Sequence, residues 1–207
     1  MQFARKTPGK GTIMKRNLSA AVLLAVLLMA AGASAQYRDG AVLLTVNAGA
    51  NRATSDLSGD GVDGIAAGFT LEKVLADGRF NAGFSIFWVQ SEEVIQVDED
   101  QWNRVNYSSV PFVMTGRYNF LNSRFAANIG LGIGLHTSTR SVYEGTSEER
   151  STSVSAMALN VPLEIAYFLD PDLYIQLIYT PTWMSASYVQ DNMVHTFAGG
   201  LGFQWGN

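Results

Sequence analysis

Downstream of Gly40, apolar and polar residues alternate with a period of two, in segments of ten or more residues. That period belongs to strands that present one face to an apolar medium and the other to something different. Eight such segments are predicted, at 41–51, 64–75, 80–90, 107–120, 125–136, 153–168, 173–184 and 193–205. The fifth is the clearest. Phe125, Ala127, Ile129, Leu131, Ile133 and Leu135 share one face, and Ala126, Asn128, Gly130, Gly132, Gly134 and His136 share the other. The third segment sets Phe80, Ala82, Phe84, Ile86 and Trp88 against Asn81, Gly83, Ser85, Phe87 and Val89. The eighth sets Phe197, Gly199, Leu201, Phe203 and Trp205 against Thr196, Ala198, Gly200, Gly202 and Gln204.

The connections alternate in length. Residues 76–79, 121–124 and 169–172 are four-residue turns with Asp-Gly, Asn-Ser and Asp-Pro chemistry. Residues 52–63, 91–106, 137–152 and 185–192 form longer connections, read as loops. Pro111, Pro162 and Pro181 fall inside predicted strands. Each removes a ladder donor, so a bulge or strand end is expected beside each, with the face assignment there open to a slip of one residue.

Composition decides what the strands enclose. Only 15% of residues are charged, too few to coat an ordinary soluble globule. The polar face of the segments is mostly Gly, Ala, Ser, Thr and Asn, which suits a narrow crowded interior and not a water-facing wall. An apolar exterior around a small-polar interior reads as an all-β, eight-stranded antiparallel up-and-down transmembrane β-barrel. Short turns would lie at the periplasmic end and longer loops at the extracellular end. Tyr118, Phe120, Phe125, Tyr167, Phe168, Phe203 and Trp205 gather at the short-turn end, and Trp88, Tyr107, Trp183 and Tyr188 near the other, as two interfacial girdles would.

The first 35 residues have a different character. Residues 1–17 carry Arg5, Lys6, Lys10, Lys15 and Arg16 and no acid, 18–32 are largely Ala, Val, Leu and Met, and Ala33-Ser34-Ala35 precedes Gln36. This is the pattern of a secretory signal peptide cleaved after Ala35, with the barrel domain at 36–207, and with Met1 and Met14 both candidate starts. Removal takes five of the 14 basic residues and none of the 18 acidic ones, leaving −9 where the whole chain has −4. Eight of those nine negative charges fall in the four long connections. Such a chain is no nucleic-acid binder. With no cysteine, it has no disulfides to hold it.

The signal peptide, the eight segments, the openings Val110-Pro111-Phe112 and Val161-Pro162-Leu163, and the ending His195-Thr-Phe-Ala-Gly-Gly-Leu-Gly-Phe-Gln-Trp205 together resemble the small outer-membrane β-barrel family of the OmpX and OmpA-barrel type. The resemblance spans 36–207 and implies an outer-membrane location, a monomer, and contact with outer-membrane lipids and lipopolysaccharide. It also implies dealings with periplasmic chaperones and the barrel-assembly machinery, which in that family reads a terminal aromatic. Here Gly206-Asn207 follow Trp205.

Candidate chemistry is sparse. Glu72, Arg117 and Glu164 share inward parity and lie five or six residues before a short turn. They are expected to meet low in the lumen as a structural plug, or alternatively as a gate. His136-Thr137-Ser138 resembles the His-x-Ser pair of outer-membrane lipid A deacylases, with Glu144, Glu148 or Glu149 as the orienting acid, although His136 has lumen parity. Residues 56–64 resemble a calcium loop, but the twelfth position is Ala67 where a bidentate Glu is needed. No cofactor or metal is expected. Three functions follow: a plugged barrel with a structural or surface-interaction role, a narrow channel of the OmpW or porin-like kind, or a lipid-modifying enzyme. The first is preferred, and catalysis is not expected.

Overall fold

A computed structural model describes residues 37–55, 61–98, 101–143, 149–187 and 189–206. The signal-peptide reading, Glu144, Glu148 and most of the calcium-like loop lie outside them.

Among the described residues the secondary structure is entirely β. The strands are β1 (Val42–Ser55), β2 (Gly61–Leu75), β3 (Phe80–Asp98), β4 (Gln101–Asn122), β5 (Phe125–Tyr143), β6 (Glu149–Asn160), β7 (Leu163–Phe168), β8 (Leu173–Met184) and β9 (Val189–Trp205). Each pairs antiparallel with its neighbours in the ring, and β9 closes that ring against β1. β6 and β7 occupy one stave, so the ring has eight strands. Tracing Cα partners from Leu43 through Glu72, Gly83, Thr115, Gly132, Asn160, Thr182 and Val194 leads back to β1 at Ala53, ten residues beyond the start. With strands about 4.8 Å apart and about 3.3 Å of rise per residue, that stagger tilts them by about 41° and sets a backbone radius of roughly 8 Å. Side chains fill an interior of that width.

The faces follow the alternation. Leu131, Ile133 and Leu135 of β5 point outward and are exposed, while Asn128 and His136 point inward and are buried. The same holds in β3 and β9. Two aromatics assigned to the girdles belong inside instead. Phe168 is buried between Tyr37 and Tyr174, and Tyr107 is buried with its hydroxyl donating to Glu93 Oε2 at 3.1 Å. Parity decides this, since both lie on the inward-facing positions of their strands. Tyr188 lies outside the described residues.

The prolines disturb the ladder less than expected. Pro162 does separate β6 from β7, but the register against β5 and β8 is the same on both sides of the break, so no face slips. Pro111 sits inside a continuous β4 opposite His136, and Pro181 inside a continuous β8 opposite His195. Ladder donors alternate between the two neighbours, so a proline removes a bond toward one side only. The bulge in β4 falls elsewhere, between Asn119 and Leu121.

Two of the predicted loops are largely strand. β3 and β4 stay paired to Asp98 and Gln101, and β5 and β6 to Tyr143 and Glu149. These halves rise beyond the level where β6 meets β8, whose pairs run only from Ala158–Met184 to Asn160–Thr182. Cross-strand hydroxyl pairs line the outer face of the second hairpin: Thr137 with Ser155 at 3.1 Å, Thr139 with Ser153 at 2.9 Å and Ser141 with Ser151 at 3.2 Å. At 139–142 both faces are at least part-exposed, which removes the need for alternation, so a polar hairpin reads as loop while its backbone pairing continues.

The short turns match their chemistry. Ala76, Asp77 and Gly78 take φ of 53, 57 and 81°, and the carboxylate of Asp170 accepts the backbone N–H groups of Asp172 and Leu173, each at 2.8 Å.

Candidate functional site

The lumen is layered. Nearest the short turns, Tyr37, Leu43, Val74, Ala126, Ala166, Phe168 and Tyr174 form an apolar floor. Tyr37 precedes β1 and folds inward, with its ring edge-on to Phe168 at 5.1 Å and to Tyr174 at 6.0 Å. Both backbone polar groups of Tyr37 are held by Asn122: its N–H donates to Oδ1 at 2.8 Å, and its carbonyl accepts from Nδ2 at 3.2 Å. Just outside, Arg38 Nη2 meets Asp172 Oδ1 at 2.5 Å, between exposed side chains.

On this floor stand the three ionisable residues singled out by parity. Glu72 from β2, Arg117 from β4 and Glu164 from β7 are 4%, 4% and 3% exposed. The Arg117 Nε lies 3.0 Å from Glu72 Oε1, and Nη1 donates to Glu164 Oε2. One planar guanidinium thus spans two carboxylates from opposite sides through two different nitrogens, a spread of donors that a single ammonium nitrogen lacks. Two further donors complete Glu164: the Tyr37 hydroxyl and Asn128 Nδ2 both reach Oε1 at 3.1 Å. Around the cluster, Thr45 Oγ1 and the Tyr174 hydroxyl share a hydrogen bond of 2.7 Å, Gln176 Nε2 donates to Asn47 Oδ1 at 2.8 Å, and Asn119 Nδ2 donates to Asn81 Oδ1 at 3.0 Å. Buried charges persist where they are paired and hydrogen-bonded. Chemically the arrangement is a cross-brace that ties β2, β4, β5, β7 and the 37–40 segment together across the lumen.

Above the brace, Ser85, Asn160, Thr180 and Thr196 line a cavity of about 30 Å³ together with Phe87, Val113 and Pro111. That is space for about two water molecules. Higher still, Ala53, Ala66, Val89, Met184 and Val194 pack as an apolar collar. Beyond the collar the mouth is polar again, with Asn51 Nδ2 donating to Ser91 Oγ at 2.9 Å and Tyr107 and Ser138 nearby.

His136 and Ser138 project inward from β5, 1% and 5% exposed, and no hydrogen bond joins them. Glu149, an acid proposed to orient the histidine, pairs with Tyr143, seven residues along β5 from His136. That is roughly 23 Å at about 3.3 Å per residue, so Glu149 does not complete a triad.

Alternation brought out the brace but missed Tyr37 and Asn122. Tyr37 lies before the first strand, where period two says nothing about direction. Asn122 acts through a turn-closing contact between segments 85 residues apart.

No protein-family model matches the chain, and no curated protein matches it. Solved structures do. Neisserial surface protein A is 14% identical over 81% of this chain and all of its own, with a TM-score of 0.54. Ail, the attachment invasion locus protein of Yersinia pestis, is 13% identical over 81% of this chain and 99% of its own, with a TM-score of 0.52. At such identities the likeness is one of fold. The chain shares the eight-stranded barrel of these small outer-membrane proteins.

Proposed function

We propose that this chain is a monomeric, non-catalytic outer-membrane protein whose lumen is closed and whose role is structural or in interactions at the cell surface. The observation that carries the closed-lumen reading is the Arg117 brace between Glu72 and Glu164, seated on Tyr37 and the aromatic floor. An interior of roughly 8 Å backbone radius has no width left beside such a layer.

The membrane reading rests on the outer wall. Leu131, Met114 and Leu177 are 60%, 66% and 69% exposed, within a continuous apolar belt around the barrel. A soluble monomer does not expose so large a patch, and a hydrocarbon surrounding removes its cost. The likeness in fold to the two outer-membrane proteins points the same way. Export by the 1–35 leader, assembly by the barrel machinery with periplasmic chaperones, and contact with outer-membrane lipids and lipopolysaccharide follow from that placement. The extended β3–β4 and β5–β6 hairpins are the surface left for partners outside the bilayer.

Planar-bilayer recording of the refolded processed protein tests the reading. The expected record is a baseline without stable steps. Reproducible unitary conductance would exclude the plug and favour the narrow channel.

A further inference from the structure

One ionisable side chain breaks the outward row of β9. The outward positions of β9 read Met193, His195, Phe197, Gly199, Leu201, Phe203 and Trp205, and His195 is the exception in that row. Its Nδ1 is 2.7 Å from the Tyr179 hydroxyl, and the two rings lie parallel, 3° apart in plane with centroids at 6.0 Å. Tyr179 stacks in turn on Phe197 at 4.5 Å. The imidazole is thereby held in one orientation. In the tautomer whose Nδ1 accepts from the hydroxyl, Nε2 carries the ring proton and is a donor at the outer edge of the wall.

Ten residues of β9 separate His195 from Trp205 in the ring nearest the short turns. At a strand tilt of about 41° this is roughly 25 Å, the height of the apolar belt of a barrel of this class. His195 therefore lies where hydrocarbon gives way to headgroups. Directly opposite it across the ladder is Arg52 of β1, also outward, with 65% of its side chain exposed. Arg52 has a weak partner, Asp63 Oδ1, at 3.5 Å from its Nη1, longer than a hydrogen bond and solvent-exposed.

We propose that Arg52 and His195, steadied by Tyr179, form a binding site for the phosphate of a membrane lipid at the extracellular rim of the barrel. A permanent cation and an N–H donor at directly opposite positions of the ladder suit a phosphate oxygen group. The apolar wall below them, with Phe197 next in the row, suits the acyl chains of the same molecule and gives a free anion nothing. Asp63 disfavours anions nearby, so the site selects a ligand that is also held by its chains. The proposal needs the barrel to lie in a membrane but is independent of whether the lumen conducts, so a positive bilayer recording leaves it standing.

The test is native mass spectrometry of the processed full barrel released from phosphatidylcholine nanodiscs doped with phosphatidic acid. The wild-type protein retains phosphatidic acid in preference to phosphatidylcholine, and millimolar inorganic phosphate fails to displace it. Loss of one charge-assisted bond and one hydrogen bond in Arg52→Ala/His195→Ala lowers that retention by about tenfold or more. Lys73→Ala, an outward cation near the short turns, leaves it unchanged. Both variants alter outward side chains, and heat-modifiable gel migration checks that each is folded. Equal retention by the double variant would overturn the site, as would displacement by inorganic phosphate, which would make it a soluble-anion site.

Discussion

Replacing Arg117 by methionine keeps much of the length of the side chain and removes the one positive charge between two carboxylates. Glu72 loses its ion-pair partner, whereas Glu164 keeps the hydroxyl of Tyr37 and the amide of Asn128. Removing one partner from a buried ion pair costs about 3–5 kcal/mol, because the remaining charge is left in a site that cannot solvate it. At about 2 kcal/mol per molar of urea, the unfolding midpoint falls by roughly 2 M. Unfolding from lipid vesicles is read by tryptophan emission, since Trp88, Trp183 and Trp205 face outward and leave the bilayer when the barrel opens. The companion is the triple variant Arg117→Met, Glu72→Leu, Glu164→Gln. It removes every charge of the brace, while the new amide oxygen at position 164 still accepts from Tyr37 and Asn128, and it recovers most of the loss. A single variant within about 1 kcal/mol of wild type would refute the reasoning. So would a triple variant no better than the single one.

Two other outcomes follow from the same geometry. Tyr37→Phe forfeits a hydrogen bond to a carboxylate and costs about 2 kcal/mol in the same assay, while Tyr37→Ala also empties the aromatic floor and costs at least about 3 kcal/mol. Leu131→Arg places a charge near the middle of the outer belt and costs about 2–4 kcal/mol, whereas Thr139→Arg, on the hairpin beyond the belt, costs under about 0.5 kcal/mol; equal costs at the two sites would argue against a bilayer around the wall.

Alternation in β3, β5 and β9 was legible because one face meets an apolar surrounding and the other a crowded lumen, and a one-residue slip would reverse both. The same parity brought Glu72, Arg117 and Glu164 onto one level. It failed where that contrast disappears. Residues 92–96 and 139–142 are strand with both faces at least part-exposed, so no periodicity marks them, and Tyr37 precedes any strand. Residue type points Phe168 and Tyr107 to the girdles, whereas parity assigns both to the interior. A proline inside a strand predicts a bulge or an end, but Pro111 and Pro181 each remove a donor toward one neighbour only and their strands continue.

By itself the chain determines the number of staves, which face of each is apolar, and that charges inside must be few and paired. These are local properties, set by the two-residue period of a pleated strand and by the chemistry of tight turns. Closure is not local. The ten-residue stagger, the contact of Asn122 with Tyr37, and the convergence of one guanidinium on two carboxylates from separate staves exist only once β9 meets β1. Register around a ring is a sum over all eight pairings, and no single segment carries it.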